Sequence, residues 1–115
     1  MTARVLRDPQ TEGDFQAQVI ELAHLLGWHH LHVRRSIGKG RQWVTATNVV
    51  GWPDLLLWHE TQHRVIAAEL KSAKGVVSDE QTEVLRQLTA AGLEAHVWRP
   101  ADLDQIACTL SGRNP

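Results

Sequence analysis

Apolar and polar positions alternate with two different periods along this chain. In TEGDFQAQVIELAHLLG, Phe15, Val19, Leu22 and Leu26 recur at 4, 3 and 4 spacing, which is one face of a helix. Thr11 is its expected N-cap, Gly13 weakens the first turn, and Gly27 is a stop. WHHLHVRR then reads as a strand, SIGKGR as a glycine-containing turn or loop, and QWVTATNVV as a second, irregular strand. Residues 54–59 and 64–71 are two strands joined by a short polar turn, a β-hairpin. Ser78, with Gln81 three residues on, forms a capping box for a helix whose apolar face is Val84, Leu85 and Leu88. Gly92 ends that helix, and LEAHVWR is a strand. Pro100 opens a last helix bearing Leu103, Ile106, Ala107 and Leu110 on one face. The order of helix, strands, helix, strand, helix predicts an α/β fold with a mixed sheet and helices packed on it.

The length of 115 residues suits one domain: a flexible leader over 1–10 and a single domain over 11–115. Hydrophobic content of 43% and charged content of 22% are those of an ordinary globular chain. Cys108 is the single cysteine, which excludes an intramolecular disulfide and a cysteine-based zinc site. A reducing, cytoplasmic setting fits, with no secretory signal and no membrane span expected. The net charge of −1 gives no sign of a nucleic-acid partner. Its distribution does: Arg34, Arg35, Lys39 and Arg41 fall in RRSIGKGR without an acid among them. Such a loop can contact phosphates, and Lys74 is placed with it.

The hairpin carries the chemistry. With His59 paired to Arg64, Asp54 falls opposite Glu69, and Glu69 and Lys71 share a face while Leu70 points to the other. Two carboxylates about 5 Å apart repel by roughly 3 kcal/mol at an effective dielectric of about 20. Lys71 supplies one compensating charge, and a divalent cation supplies two more. Magnesium is commonly held by one or two carboxylates plus water and phosphate oxygens. Two acids and a lysine at one strand end therefore suit metal-assisted phosphodiester hydrolysis. Singly, each has a plainer explanation: Asp54 as a turn residue, Glu69 and Lys71 as solvent-facing strand residues.

His30 and His32 share a strand face, but without cysteines a zinc site is disfavoured and surface histidines are the default. His59 and His63 belong to the hairpin turn. Trp58 and Trp98 are expected in the core. Trp43 and Trp52 are expected to pack, with base stacking or a place beside the cleft as their alternatives.

G-W-P-D at 51–54, E-L-K at 69–71 and S-D-E-Q at 78–81 resemble the PD-(D/E)XK nuclease superfamily, and within it the VRR-NUC (virus-type replication-repair nuclease) branch. The resemblance runs over roughly residues 11–99. It implies the restriction-endonuclease-like αβββαβ core, here with a C-terminal helix, and a Mg²⁺- or Mn²⁺-dependent DNA endonuclease. Asp54 and Glu69 would bind the metal with the Leu70 carbonyl. Lys71 would be the catalytic lysine and Gln81 the glutamine of the following helix. Small stand-alone members imply a homodimer cutting branched DNA such as four-way junctions, with no small-molecule cofactor and a bacterial or phage source. The resemblance also implies a glutamate on the first helix. Glu12 continues the apolar stripe, with Gln16 beside it, whereas Glu21 lies on the polar side near Gln18. Glu12 is the expected residue. Two other readings remain: a non-catalytic nucleic-acid-binding module on the same fold, and a sequence-specific restriction-type enzyme.

Overall fold

A computed structural model describes residues 11–33, 35–37, 43–45 and 48–112, with the backbone alone for 35–37 and 43–45. Helix α1 spans Glu12–Leu25. Thr11 caps it, its Oγ1 accepting the Asp14 N–H at 3.0 Å, and Glu12 and Asp14 complement the positive end of the helix dipole. Gly27, at φ +90°, turns the chain out of the helix. Strand β1 follows at His29–His32, β2 at Arg35–Ile37, β3 at Trp43–Thr45, β4 at Leu55–His59 and β5 at Arg64–Leu70. Helix α2 spans Asp79–Ala90, β6 Glu94–Trp98, and α3 Leu103–Ser111.

The main sheet has the order β1-β4-β5-β6. β1, β4 and β5 are antiparallel neighbours, and β6 runs parallel to β5. A parallel pair needs a crossover, and α2 is that crossover. The αβββαβ core is therefore present, with α3 appended. Even-numbered positions of β5 and odd-numbered positions of β4 point to one face. There Leu55, Leu57, Ile66, Ala68 and Leu70 join Phe15, Val19 and Ala23 of α1 and Ile106 and Leu110 of α3 in one core. Each large apolar side chain so buried contributes roughly 1.5–3 kcal/mol. α2 packs on the opposite face, over β5 and β6, and covers Ala67 with Val84 and Leu85.

Four expectations are corrected. WHHLHVRR is not one strand: β1 ends at His32, and Arg35–Ile37 begins a second piece. The segment QWVTATNVV contributes only Trp43–Thr45, paired with β2 in a separate two-stranded sheet. β4, apolar on both faces, pairs with β1. Trp58 is not core: it shares with Leu56 the face that α2 leaves open above β4, and it is exposed. Pro100 opens a 3₁₀ turn, Pro100–Asp102, before α3 begins. In α1 the fully buried row is Phe15, Val19 and Ala23, with Leu22 and Leu26 packed at its flank. Trp98 is buried as expected, and the buried Trp28 donates its Nε1–H to the Leu110 carbonyl at 2.8 Å.

Candidate active site

The β4–β5 ladder runs from His59↔Arg64 to Leu55↔Ala68. One step further brings Asp54 opposite Glu69, the expected register, and another brings Pro53 opposite Leu70. Proline has no N–H to return to the Leu70 carbonyl, so the ladder stops there. The Asp54 side chain takes over: its Oδ2 accepts the Leu70 N–H at 2.8 Å. On the other edge of β5, the Lys71 N–H bonds the Trp98 carbonyl at 3.0 Å. A strand residue directs its N–H and C=O to the same neighbour. The Leu70 carbonyl therefore points to the Asp54 side of β5.

Glu69 and Lys71 turn to the face covered by α2, where Gln81 meets them. Lys71 Nζ lies 3.3 Å from Glu69 Oε2, and Gln81 Nε2 donates to the same oxygen at 2.7 Å. Asp54, Glu69, Lys71 and Gln81 are only 8, 0, 8 and 5% exposed. Burying charge at this depth is costly unless it is paired and hydrogen-bonded.

Gln81 fills both of the roles open to it. Its backbone N–H donates to Ser78 Oγ at 3.1 Å, and its Oε1 accepts the Ser78 N–H at 2.9 Å. The capping box thus takes the amide oxygen and leaves the amide nitrogen aimed at Glu69. Gly51, at φ +89°, lies against the same helical turn. A Cβ there would come within 2.5–2.8 Å of the Glu80 carbonyl group and Gln81 N. The G-W-P-D segment carrying Asp54 is in this way pressed onto the start of the helix carrying Gln81. Behind Lys71, Arg99 Nη1 donates to the Ser72 carbonyl at 2.8 Å. Gly51 stands in the sequence reading only within G-W-P-D, and Arg99 was not singled out. A glycine directly ahead of W-P-D was a usable signal for the first, whereas nothing marked Arg99.

Glu12 opens α1, is exposed, and makes no hydrogen bond or ion pair among the described residues. Gln16, one turn on, meets the His32 ring. Glu21 lies on the outer side of α1 with Ala17, His24 and Leu25, turned from the sheet. Lys74 is exposed between β5 and α2. Arg34, Lys39 and Arg41 lie outside the described residues, and Arg35 opens β2 with its side chain undescribed.

His30 and His32 do share a face, turned to α1, where His24 Nε2 and His30 Nδ1 are 2.8 Å apart. Among the described residues no group of three His, Cys, Asp or Glu side chains is arranged to hold a metal ion. Two carboxylates and a backbone carbonyl are instead hard oxygen donors, the set on which magnesium or manganese relies when water and phosphate oxygens complete its shell.

No curated protein and no solved structure matches the chain. The family model for the VRR-NUC domain matches residues 4–102, which include all four converging side chains. The chain belongs to the VRR-NUC domain family, a family of nucleases.

Proposed function

We propose that the domain is a divalent-metal-dependent DNA endonuclease that hydrolyses phosphodiester bonds and selects branched DNA. The observation that carries this reading is the convergence of two buried carboxylates, a lysine and a glutamine at one end of the sheet. A structural strand end gains nothing from two neighbouring acids, whereas phosphodiester hydrolysis uses both.

Asp54 and Glu69, with the Leu70 carbonyl, would hold Mg²⁺ or Mn²⁺. When bound, the cation polarises the scissile phosphate and acidifies a coordinated water. Water adds to phosphorus and one P–O ester bond breaks, leaving a phosphate monoester and a free hydroxyl. The Lys71 ammonium orients the attacking water and offsets charge developing on the phosphate. Gln81 holds the Glu69 carboxylate in one orientation. Glu12 is assigned an assisting role from α1, and Arg34, Arg35, Lys39, Arg41 and Lys74 grip neighbouring phosphates. A domain of this size encloses little of a junction by itself, so the active species is a homodimer.

The test is cleavage of single strands, plain duplex, flaps and four-way junctions with Mg²⁺, Mn²⁺ or EDTA. Cutting of branched DNA that needs the metal and disappears in Lys71→Ala supports the reading. Tight binding without cutting in either metal overturns it in favour of a binding module. Cutting confined to one sequence, whatever the DNA shape, favours the restriction-type alternative. A monomeric mass at working concentration removes the dimer.

A further inference from the structure

The sheet face bearing Asp54 and Glu69 is only half covered. α2 lies over β5 and β6, and among the described residues the β1–β4 half keeps Leu31 and Trp58 exposed. Cross-strand neighbours on that face fall into rows. The row at the site is extended to β1 by Val33, whose N–H bonds the Asp54 carbonyl at 2.9 Å. The next row is Leu31, Leu56 and Ala67, and the one beyond is His29, Trp58 and Val65. Leu31, Trp58 and Val65 are 53, 37 and 40% exposed. The His29 and Trp58 rings stack, with centroids 5.7 Å apart and 23° between their planes. At the rise of a β-strand, Trp58 lies about 13 Å from Asp54 along the same strand.

Three properties of this strip choose its occupant. Among the described residues it carries no Lys, Arg, Asp or Glu, so the strip itself is not a phosphate grip. It presents flat rings at the surface, and every nucleobase has a π-face to stack on such a ring. It is continuous with the acid-lysine row of a domain whose family acts on nucleic acid. A second copy of the chain is the weaker occupant. A stable interface takes about 20–30 residues a side, and the open strip offers five: His29, Leu31, Leu56, Trp58 and Val65.

We infer that the His29–Trp58 strip is a base-stacking platform for unpaired nucleotides beside the scissile phosphate. Bases inside a duplex are stacked on one another and present no free face. The platform therefore selects strands with unpaired bases near the cut: flaps, single-stranded tails and the opened centre of a junction. This inference deepens the nuclease reading and rests on it for the position of the cut.

The experiment measures binding in EDTA, so that a chain that never cuts still answers. The probes are a flapped duplex, the same flap with abasic sites at the two nucleotides next to the branch, and a fully paired duplex. The proteins are wild type, Trp58→Phe and Trp58→Leu, each checked for a folded circular dichroism spectrum. Trp58→Leu is expected to weaken flap binding roughly 5- to 150-fold, the range for loss of one stacked base. Duplex binding is expected to stay level and Trp58→Phe to retain most of the affinity. Abasic sites are expected to weaken the wild type and to cost nothing further in Trp58→Leu, as for two halves of one contact. Equal losses on flap and duplex, additive losses, or no loss overturn the platform. A fall in solution mass in Trp58→Leu with no abasic effect also overturns it and gives the strip to a second copy. Metal-dependent cutting that needs Lys71 yet ignores both Trp58 and the abasic sites leaves the nuclease reading standing and the platform refuted.

Discussion

Strand β5 meets charge at both ends and treats it in opposite ways. At its start, Arg64 donates to both oxygens of Glu94, at 2.7 and 2.8 Å, and to Gln62 and the Thr109 carbonyl, at 2.7 and 2.8 Å. Its guanidinium lies 5.2 Å over the Trp28 ring. The Arg64 cation faces the Glu94 carboxylate, with His96 Nε2 3.8 Å from the same group, and the pair ties the hairpin to β6 and α3. The hydrogen bond to Arg64 holds the Glu94 carboxyl below its ordinary value against the opposing pull of burial, and the same bond raises Arg64. At the other end two acids, Asp54 and Glu69, are buried with one lysine, Lys71. Balanced charge in bidentate geometry is a clasp, while two neighbouring buried acids are what the proposed metal role would use.

The sharpest way to break this comparison is to neutralise one charge at each end. Asp54→Asn keeps an oxygen to accept the Leu70 N–H and removes a buried repulsion. It is expected to lower the cleavage rate about 10²- to 10³-fold, as for loss of a transition-state charge partner, while the thermal midpoint holds or rises. Arg64→Met is expected to do the reverse. Activity per folded molecule persists, and stability falls by about 2 kcal/mol because charged hydrogen bonds are lost and Glu94 loses its bidentate partner. Cleavage rates and calorimetry on both proteins decide it. An Asp54→Asn protein as destabilised as Arg64→Met makes the acid a structural residue and ends the distinction.

Gln81 allows a finer cut, since one side chain serves structure with its oxygen and the site with its nitrogen. Gln81→Glu retains an acceptor for the Ser78 N–H and so retains the cap. It replaces the donor facing Glu69 with a third carboxylate. Helix content is expected to hold while cleavage falls at least 10-fold, a loss of about 1.4 kcal/mol in transition-state stabilisation. Unchanged cleavage would assign Gln81 to the cap alone. Gly51→Ala mixes the two roles. Its positive φ costs an alanine about 1–2 kcal/mol, and the added methyl pushes the Asp54 segment off the Glu80–Gln81 turn. Stability and cleavage are expected to fall together, and a loss of stability alone would show that the two segments need not touch.

What was legible in the sequence follows the same division. The hairpin register, and with it the meeting of Asp54 and Glu69, was readable because a short polar turn and two-residue alternation leave few registers that bury the apolar face. The capping box was readable because it is local. The placement of Trp58 was not: its exposure depends on α2 covering β5 and β6 and sparing β4, a matter of tertiary packing. The end of the first strand at His32 was not legible for a related reason: a strand runs as far as its neighbour pairs with it, and β4 pairs with 29–32 alone. Arg99 acts through a carbonyl 27 positions away in sequence, and such a bond has no periodic trace.

The smallest expected effect tests whether the clasp works by charge or by shape. A glutamate held below its ordinary value of 4.5 gives stability that is present above that pH. As pH falls below it, the unfolded chain takes up a proton that the folded Glu94 refuses, and stability declines until the folded carboxyl titrates. The Glu94 side chain is 38% exposed, so solvent screening keeps the contribution under about 1 kcal/mol. Urea midpoints of wild type and Glu94→Gln between pH 7 and pH 3.5 read it directly. The variant is expected to be the weaker protein at neutral pH, with the gap narrowing through the acid range as the wild type loses its charge. A gap that stays constant down to pH 3.5 would mean that the hydrogen-bond geometry around Arg64, rather than the charge on Glu94, holds this end of β5. The contrast between the two ends would then rest on the acids at Asp54 and Glu69 alone.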